Sequence, residues 1–300
     1  MGKVSLAHRL EYLGFRGVLG ALDRLSDERA AAVGARVGGF GYPAGVKRDV
    51  VLANIRTAFP EWDEARVREV ARASYRHLGR ETLMMLRLSH MDKGDLLSRT
   101  RLVDHEAADA DYRAGNGVVI VAGHLGNWEI GAAAIAARGY GIDIIAKRAK
   151  NPLFYRHILE ARARLGVGVI DFTVAPRGAL KALRNGRVVA FAADQHAGRS
   201  GVWVPFFGRP ASTFRGPALM SLRTGAPMHL TLPVRRPDGG YDLRLAAVKA
   251  PLTGDLEKDV VLLTREYVRL LEGAIREHPD QYLWHHRRWR KPPPGVDVHD

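Results

Sequence analysis

The sequence predicts an α/β fold in which a central, mostly parallel or mixed sheet is flanked by helices and preceded by a helical N-terminal segment. Between Gly117 and Gln195, short apolar runs typical of buried strands alternate with helical segments. Residues 1–90 show helical spacing of apolar residues and no strong strand alternation. Further along, two strand-like runs flank "PDGG", a sequence typical of a hairpin turn.

These elements follow one another with short connections. In the N-terminal segment, a helix is predicted over Asp63–Leu88, with Asp63 as its N-cap. The next elements are strand Gly117–Gly123, helix Glu129–Gly139, strand Ile142–Lys147, helix Asn151–Gly166, strand Gly168–Phe172, helix Ala175–Gly186 and strand Arg187–Gln195. The hairpin Pro227–Arg236 and Tyr241–Val248 and a helix from about Glu257 to Glu277 complete the order.

Length and composition are compatible with a single domain. The chain has 300 residues, of which 46% are hydrophobic, so a sizeable core can form. We expect a helical arm over residues 1–90, an α/β core over 115–290 and a loose tail over 291–300. The absence of cysteine excludes a disulfide, a thiolate metal site and a cysteine nucleophile.

The charge balance favours an anionic partner. Lysine and arginine number 46 against 32 acidic residues, a formal net charge of +14. Nucleic acid, an anionic membrane surface and an acidic carrier protein all suit such a surface. The early segment Leu10–Leu25 is interrupted by charged residues and falls short of the roughly 20 apolar residues that a membrane span needs. It is therefore either an amphipathic helix that lies on a membrane or an ordinary surface helix.

His124 and Glu129 are five residues apart in "HLGNWE", where a predicted strand gives way to a helix. On one continuous helix such residues diverge by roughly 140°. They therefore meet only if His124 lies on the loop and Glu129 lies in the first helical turn, which Gly123 and Gly126 permit. Glu129 would then fix the imidazole tautomer and raise the basicity of the free nitrogen. The alternative is a loop histidine beside a partly buried glutamate. A zinc site is not expected, because no second histidine lies at the spacing of a metal ligand.

Other segments accompany "HLGNWE" along the chain. They are "NIRTAFPE" (Asn54–Glu61), "RAKNPLFYRHILEARARLG" (Arg148–Gly166), the stretch from "DQHAG" to "VPFFGRPAST" (Asp194–Thr213) and "HPDQYLWHHRRWR" (His278–Arg290). Together these segments resemble the bacterial late acyltransferases of lipid A biosynthesis, the lauroyl and myristoyl transferases of Kdo-lipid A precursors. "HLGNWE" matches the H-x-x-x-x-D/E motif of the wider lysophospholipid acyltransferase superfamily, with the glutamate of the lipid A group. The resemblance runs from about residue 50 to residue 290 in the family's order.

The resemblance implies an acyl transfer without a cofactor or a metal. A fatty acyl chain would pass from acyl-carrier protein, or from coenzyme A, to a hydroxyl of an anionic lipid acceptor, a lipid A precursor. His124 would be the general base and Glu129 its orienting partner. The reaction would take place at the cytoplasmic face of the inner membrane. Since relatives usually carry a hydrophobic N-terminal anchor and Leu10–Leu25 is interrupted, we expect peripheral attachment, and no nucleic-acid partner.

The resemblance also implies residues that bind substrate or the developing oxyanion. Arg162 and Arg164 lie two apart on one helix and diverge by about 200°, so one of them, preferably Arg162, is expected at the site. Asp194 ends a strand and is expected to hold an arginine or the acceptor, or else to cap a loop. Arg148 follows a strand end and is expected near a phosphate or the carrier protein. Each arginine has the alternative of being a solvated surface charge.

Five aromatic residues are candidates for an acyl groove or for membrane contact: Trp128, Phe206, Phe207, Trp284 and Trp289. The "VPFFG" pair has the sequence of an exposed apolar loop that would line the groove, although two adjacent phenylalanines are more often core residues. The C-terminal tryptophans alternate with arginine and histidine, a pattern that suits a membrane interface or single-stranded nucleic acid. The family resemblance favours the lipid.

Two rival functions remain open on the sequence. The first is an acyltransferase of the same fold that uses acyl-CoA and another polar lipid, such as phosphatidylinositol mannoside. The second is a non-catalytic basic protein that binds a membrane or nucleic acid. The second rival explains the net charge but gives no role to the spacing of His124 and Glu129.

Overall fold

The computed structural model describes residues 4–290, and the expected loose tail at 291–300 lies outside them. The first part of this range is helical, as the sequence predicts. It contains α1 Leu6–Leu22, α2 Asp27–Phe40, α3 Arg48–Ala58 and α4 Glu64–Arg87. Asp63 caps α4 through the backbone N–H of Arg66, which confirms the predicted start of that helix.

Helices α2 and α4 cross at a glycine contact that brings their backbones together. A Cβ atom on Gly38 would lie 2.3 Å from the carbonyl oxygen of Tyr75, and one on Gly79 would lie 2.2 Å from that of Gly34. No side chain fits at either position without separating the helices. The close crossing fixes α4, which carries Glu81 beneath the candidate site described below.

A seven-stranded sheet forms the centre of the molecule. Its strands are β1 Thr100–Val103, β2 Val118–Ala122, β3 Ile142–Ala146, β4 Val167–Asp171, β5 Val188–Ala192, β8 Met228–Arg235 and β9 Tyr241–Ala247, in the order β1-β9-β8-β2-β5-β3-β4. Strands β8, β2, β5, β3 and β4 are parallel, whereas β9 pairs antiparallel with β8. The predicted mostly parallel sheet and the hairpin are both confirmed.

Helices cover both faces of this sheet. They are α5 Lys93–Arg99, α6 Glu106–Arg113, α7 Trp128–Ala137, α8 Pro152–Arg164, α9 Ala175–Arg184, α10 Gly216–Thr224 and α11 Leu256–Glu277. The predicted helices match α7, α8, α9 and α11 within a few residues. The sequence reasoning missed β1, α5, α6, α10 and a separate antiparallel hairpin, β6 Val202–Phe206 with β7 Arg209–Thr213. These elements are short, so their periodicity is weak.

Within residues 4–290, no helix is both long enough and apolar enough to cross a membrane.

Candidate active site

His124 and Asp194 are brought together by the register of two parallel strands. Ala122, the last residue of β2, pairs with Ala192, the last residue of β5, and His124 and Asp194 each follow two residues later in the chain. The two side chains therefore emerge at the same level, at the carboxyl edge of the sheet. This edge is where open α/β sheets place their ligands.

Asp194 is the carboxylate that holds His124. The Nδ1 atom of His124 lies 2.6 Å from one carboxylate oxygen of Asp194, and the backbone N–H of His124 donates to the other at 2.8 Å. His124 lies on the loop and Glu129 in the first turn of α7, as expected, but Glu129 does not take the expected place at the ring. Of the expectations for Asp194, the structure bears out the hydrogen bond to a loop backbone N–H, because its buried carboxylate accepts from the backbone of His124 and contacts the His124 ring.

Burial and charge oppose each other in this pair. Burial by itself lowers the pKa of His124, but the charge and hydrogen bond of Asp194, with a smaller effect of Glu129, raise that pKa above its ordinary value. Burial would raise the pKa of Asp194, yet the charge and hydrogen bonds of His124 hold it below its ordinary value. The pair therefore favours an ionised aspartate that stabilises positive charge on the imidazole.

The segment after α11 forms the floor of the site. The backbone N–H of Leu283 donates to the carbonyl of His124 at 2.9 Å, and that of Gly126 donates to the carbonyl of Gln281 at 3.1 Å. Gly126 has φ of 65°, and a Cβ there would lie 1.8 Å from the carbonyl oxygen of Pro233. Only glycine fits this close approach, so the loop geometry depends on it.

A buried polar cluster fixes the start of α7. The side-chain amide of Asn127 donates to Glu81 at 2.8 Å, while its oxygen accepts from the backbone N–H of Ile130 at 3.0 Å and so caps the helix. Tyr241 also donates to Glu81, at 2.7 Å, and Arg235 lies 3.4 Å from the same carboxylate. Because a buried network with few alternatives is rigid, it fixes the direction in which Glu129 leaves the helix.

Glu129 pairs with Arg162 of α8. The guanidinium donates to both carboxylate oxygens, from Nη2 at 2.6 Å and from Nε at 3.1 Å. The two side chains are only 16% and 20% exposed. A forked, largely desolvated pair of this kind holds two helices in a fixed relation. Of the two arginines singled out on α8, the structure therefore brings Arg162 to the site.

Arg164 and Arg148 lie elsewhere. Arg164 donates to the carbonyl of Leu88 at 2.9 Å, so it connects α8 to the end of α4. Arg148 is exposed and pairs with Asp171 at the end of β4. Neither contact involves His124. Arg164 makes a structural contact, as expected for one of the two arginines of α8, and Arg148 is an exposed charge, which is the alternative left open for it.

Two mainly apolar cavities meet at the Glu129–Arg162 pair. The first, of about 180 Å³, lies between α7 and the sheet and is lined by aliphatic residues of β2, β3 and β5. The second, of about 260 Å³, lies between α4, α7 and α8. Glu129, Arg162 and Ala132 line both. Trp128, which lines the first cavity, places its ring edge-on to His124 with centroids 4.6 Å apart.

The other aromatic candidates form a core instead of a groove. Phe206 and Phe207 are buried, at the end of β6 and in the turn that follows, so the interpretation of "VPFFG" as an exposed loop is wrong. Trp284 is buried, with its indole N–H donating to the carbonyl of Pro279. Trp289 is half-buried and stacks on Phe206 at 5.4 Å. Burial removes the first three from membrane contact.

Three residues at the His124–Asp194 pair were not assigned to it from the sequence. The amide nitrogen of Gln195 lies 3.4 Å from Nε2 of His124. Burial, followed by the charge of Asp194, raises the pKa of the Tyr282 phenol well above its ordinary value, and Arg288 is a buried cation whose charge acts on the same aspartate. All three lie in the segments that carried the family resemblance, and that was their only signal in the sequence.

Comparison with known proteins identifies the family of this chain. Residues 11–291 match the family described as bacterial lipid A biosynthesis acyltransferase. The lipid A biosynthesis lauroyltransferase of Escherichia coli K12 is 28% identical over 252 residues, which is 82% of this chain and 80% of that protein.

Two acyltransferases named for other acceptors or acyl groups are also similar to this chain. The phosphatidylinositol mannoside acyltransferase of Mycobacterium tuberculosis H37Rv is 31% identical over 71% of this chain and 66% of its own length. The lipid A biosynthesis palmitoleoyltransferase of Escherichia coli K12 is 34% identical over 40% of this chain and 39% of its own length. The family match covers nearly the whole described range, and the chain therefore belongs to the bacterial lipid A biosynthesis acyltransferases.

Proposed function

We propose that this acyltransferase moves a fatty acyl chain from the thioester of acyl-carrier protein to a hydroxyl of a lipid A precursor, with His124 as general base. The observation that carries the proposal is the His124–Asp194 pair at the carboxyl edge of the sheet. Asp194 occupies Nδ1, so Nε2 faces the other side of the ring, where the Gln195 amide nitrogen lies 3.4 Å away and a substrate hydroxyl would have to take its place. A group held in this way is suited to accept a proton from a hydroxyl.

The chemistry requires no covalent enzyme intermediate. Nε2 of His124 takes the proton of the acceptor hydroxyl while its oxygen forms a bond to the thioester carbonyl carbon. The resulting tetrahedral oxyanion collapses, the carbon–sulfur bond breaks, and the imidazolium returns its proton to the leaving thiolate. Asp194 is the positioning residue: it holds the ring and stabilises the imidazolium that forms between the two proton transfers.

The cavities support a role for the Glu129–Arg162 pair in shaping the acyl site. Both cavities are lined mostly by apolar side chains, and both end at this pair. An aliphatic chain gains about 0.8 kcal/mol for each methylene removed from water, so such walls favour a fatty acyl group. Because Arg162 is neutralised by Glu129, we assign it the role of fixing the cavity wall, with the oxyanion held elsewhere.

Attachment to the membrane is proposed through the N-terminal helices. On α1, the side chains of Leu6, Leu10 and Leu13 are exposed on one helical side. Val37 and Phe40 of α2 are exposed as well. Apolar side chains at a surface, on a chain with a net charge of +14, suit an anionic lipid surface. We therefore propose a peripheral enzyme at the cytoplasmic face of the inner membrane.

Purified protein tests the reaction. Lauroyl-acyl-carrier protein and lauroyl-CoA are each supplied with a lipid A precursor, a phosphatidylinositol mannoside or lysophosphatidate, and products are identified by mass. We expect transfer to the lipid A precursor, with the carrier protein as the better donor. Transfer that favours lysophosphatidate, or no transfer from either thioester by folded protein, would contradict the proposal.

A second candidate acceptor is phosphatidylinositol mannoside. The similarity to the mycobacterial acyltransferase, 31% identical over 71% of this chain, is the observation that favours it. The same assay separates the two, because each acceptor gives a product of different mass. A non-catalytic basic binding protein is disfavoured, because the chain belongs to a family of acyltransferases.

A further inference from the structure

A third pocket, which is strongly basic, lies beside the candidate active site. Its volume is about 420 Å³, and it is formed by the N-terminus of α3 and by residues 285–290. Four cations line it, namely Lys47, Arg48, Arg287 and Arg290, against the single carboxylate of Asp49. All four cations are exposed. Within residues 4–290, no ion pair is formed by Lys47, Arg287 or Arg290.

The end of α3 adds backbone donors to these charges. Lys47 precedes the helix with φ of 52°, in the left-handed region, and its side chain does not cap the helix. Helix N-termini present N–H groups that have no partner within the helix, together with the positive end of the helix dipole. An uncapped N-terminus surrounded by arginine and lysine is an arrangement that binds anions.

His285 is a buried polar side chain at the boundary of the basic pocket. It is only 9% exposed and lines the basic pocket, yet neither of its ring nitrogens has a hydrogen-bond partner among the described residues. Burial, and then the charge of Lys47, lower the pKa of His285 to about 4, so the ring is neutral and carries one N–H. A buried donor without a partner costs about 1–3 kcal/mol, which a bound anion would offset.

The basic pocket lies close to the reacting atoms. His286, which lines it, accepts a hydrogen bond at Nε2 from the backbone N–H of His196, at 3.0 Å. The preceding residue, Gln195, is the one that contacts Nε2 of His124. The charges of His124 and Asp194 also act on His286. A ligand in the basic pocket is therefore adjacent to the segment that borders the catalytic histidine.

We propose that the basic pocket binds a phosphate group that belongs to one of the two substrates, the pantetheine-type donor or the anionic acceptor. The assignment to a substrate rests on the proposed function, whereas the phosphate chemistry rests on the pocket alone. Arginine forks match phosphate oxygens in two parallel hydrogen bonds, and the α3 N–H groups and the His285 N–H supply further donors. Bound there, the phosphate would position the substrate relative to His124.

Calorimetric titration of the full-length protein tests the site without turnover. Coenzyme A is compared with pantetheine as the donor arm, and glucose 1-phosphate with glucose as the sugar-phosphate arm. We expect at least one phosphorylated probe to bind, and its phosphate-free counterpart to bind at least about tenfold more weakly. The arm that shows the difference identifies the source of the phosphate.

Two double variants that lose the same charge test whether the basic pocket is where the phosphorylated probe binds. The double substitution Arg287→Gln with Arg290→Gln should weaken binding of the phosphorylated probe at least about tenfold. The matched control, Lys181→Gln with Arg184→Gln on exposed positions of α9, should leave it unchanged. His285→Phe, which keeps the ring packing on Tyr75, should weaken binding by a smaller factor.

Two results would overturn the site. One is equal weakening by both double variants, which would indicate general electrostatics. The other is absence of binding of either phosphorylated probe to wild-type protein that melts cooperatively. Since these are binding measurements, a loss of acyl transfer with phosphate binding intact would contradict only the reaction proposed for His124.

Discussion

Among the described residues, two histidine–aspartate pairs have the same hydrogen-bond length. His124 meets Asp194 at 2.6 Å after the end of β2, and His229 meets Asp111 at 2.6 Å near the start of β8. Since β2 and β8 are parallel and His229 is in register with Ile120, the second pair lies closer to the amino ends of these strands than the first. Hydrogen-bond length alone does not distinguish them.

The surroundings of the two pairs differ. The second nitrogen of His229, Nδ1, is buried and has no partner among the described residues, and the residue is 1% exposed. Asp111 is 39% exposed, whereas the Asp194 side chain is 3% exposed. The His124 side chain is 14% exposed and borders Trp128, which lines a cavity. The two pairs therefore differ in access: the second nitrogen of His229 is enclosed, whereas that of His124 lies 3.4 Å from the Gln195 amide beside a residue that lines a cavity, so the first pair suits the proposed reaction better.

Matched substitutions of the two histidines give the largest expected difference. His124→Asn keeps a nitrogen near the position of Nδ1 but removes Nε2, and we expect kcat/KM to fall by about 10²–10⁴-fold. His229→Gln keeps a nitrogen near the position of Nε2, and kcat/KM should remain close to that of wild type. Steady-state acyl transfer with thermal melts measures both. Equal losses, or full activity of folded His124→Asn, would eliminate the distinction between the pairs.

The two aspartates, Asp194 and Asp111, can be compared through the pH dependence of kcat/KM. Because the folded enzyme raises the pKa of His124, the neutral base is lost as pH falls through a value above the ordinary 6.5 of histidine. Asp194→Asn removes the nearby charge, so the acidic limb of kcat/KM should move to lower pH while kcat falls by about 10²–10⁴-fold. Asp111→Asn is the control and should leave the limb in place. If Asp111→Asn shifted the acidic limb and Asp194→Asn did not, the His229–Asp111 pair would be the catalytic one.

Glu129→Gln should have the smallest effect on the limb, because Glu129 contributes less than Asp194 to the raised pKa of His124. Its main effect should be on stability, since the largely buried Arg162 guanidinium would lose its carboxylate partner. We expect a loss of about 1–3 kcal/mol in the free energy of unfolding, reduced from the fully buried case by partial exposure. Denaturant titration and the pH profile measure the two effects. A larger limb shift than in Asp194→Asn would restore Glu129 as the orienting partner.

The C-terminal segment, residues 281–290, shows why part of the site could not be predicted from the sequence. "QYLWHHRRWR" alternates aromatic residues and cations, a pattern that suits a membrane interface. In the structure, Trp284 is buried, and Arg288 is buried with hydrogen bonds to Ser212 and Thr213. Composition cannot separate a surface patch from a core in which arginines find internal partners, because both have the same residues.

The sequence by itself determined the alternation of strands and helices, the loop position of His124 and the helical position of Glu129. These depend on local periodicity and turn chemistry, which neighbouring residues decide. Only the tertiary structure decided which carboxylate reaches the imidazole. β2 and β3 follow each other along the chain, but β5 lies between them in the sheet, so Asp194 arrives beside His124 from 70 residues away. Strand order is set by the packing of the whole sheet and its helices, and residue spacing does not encode it.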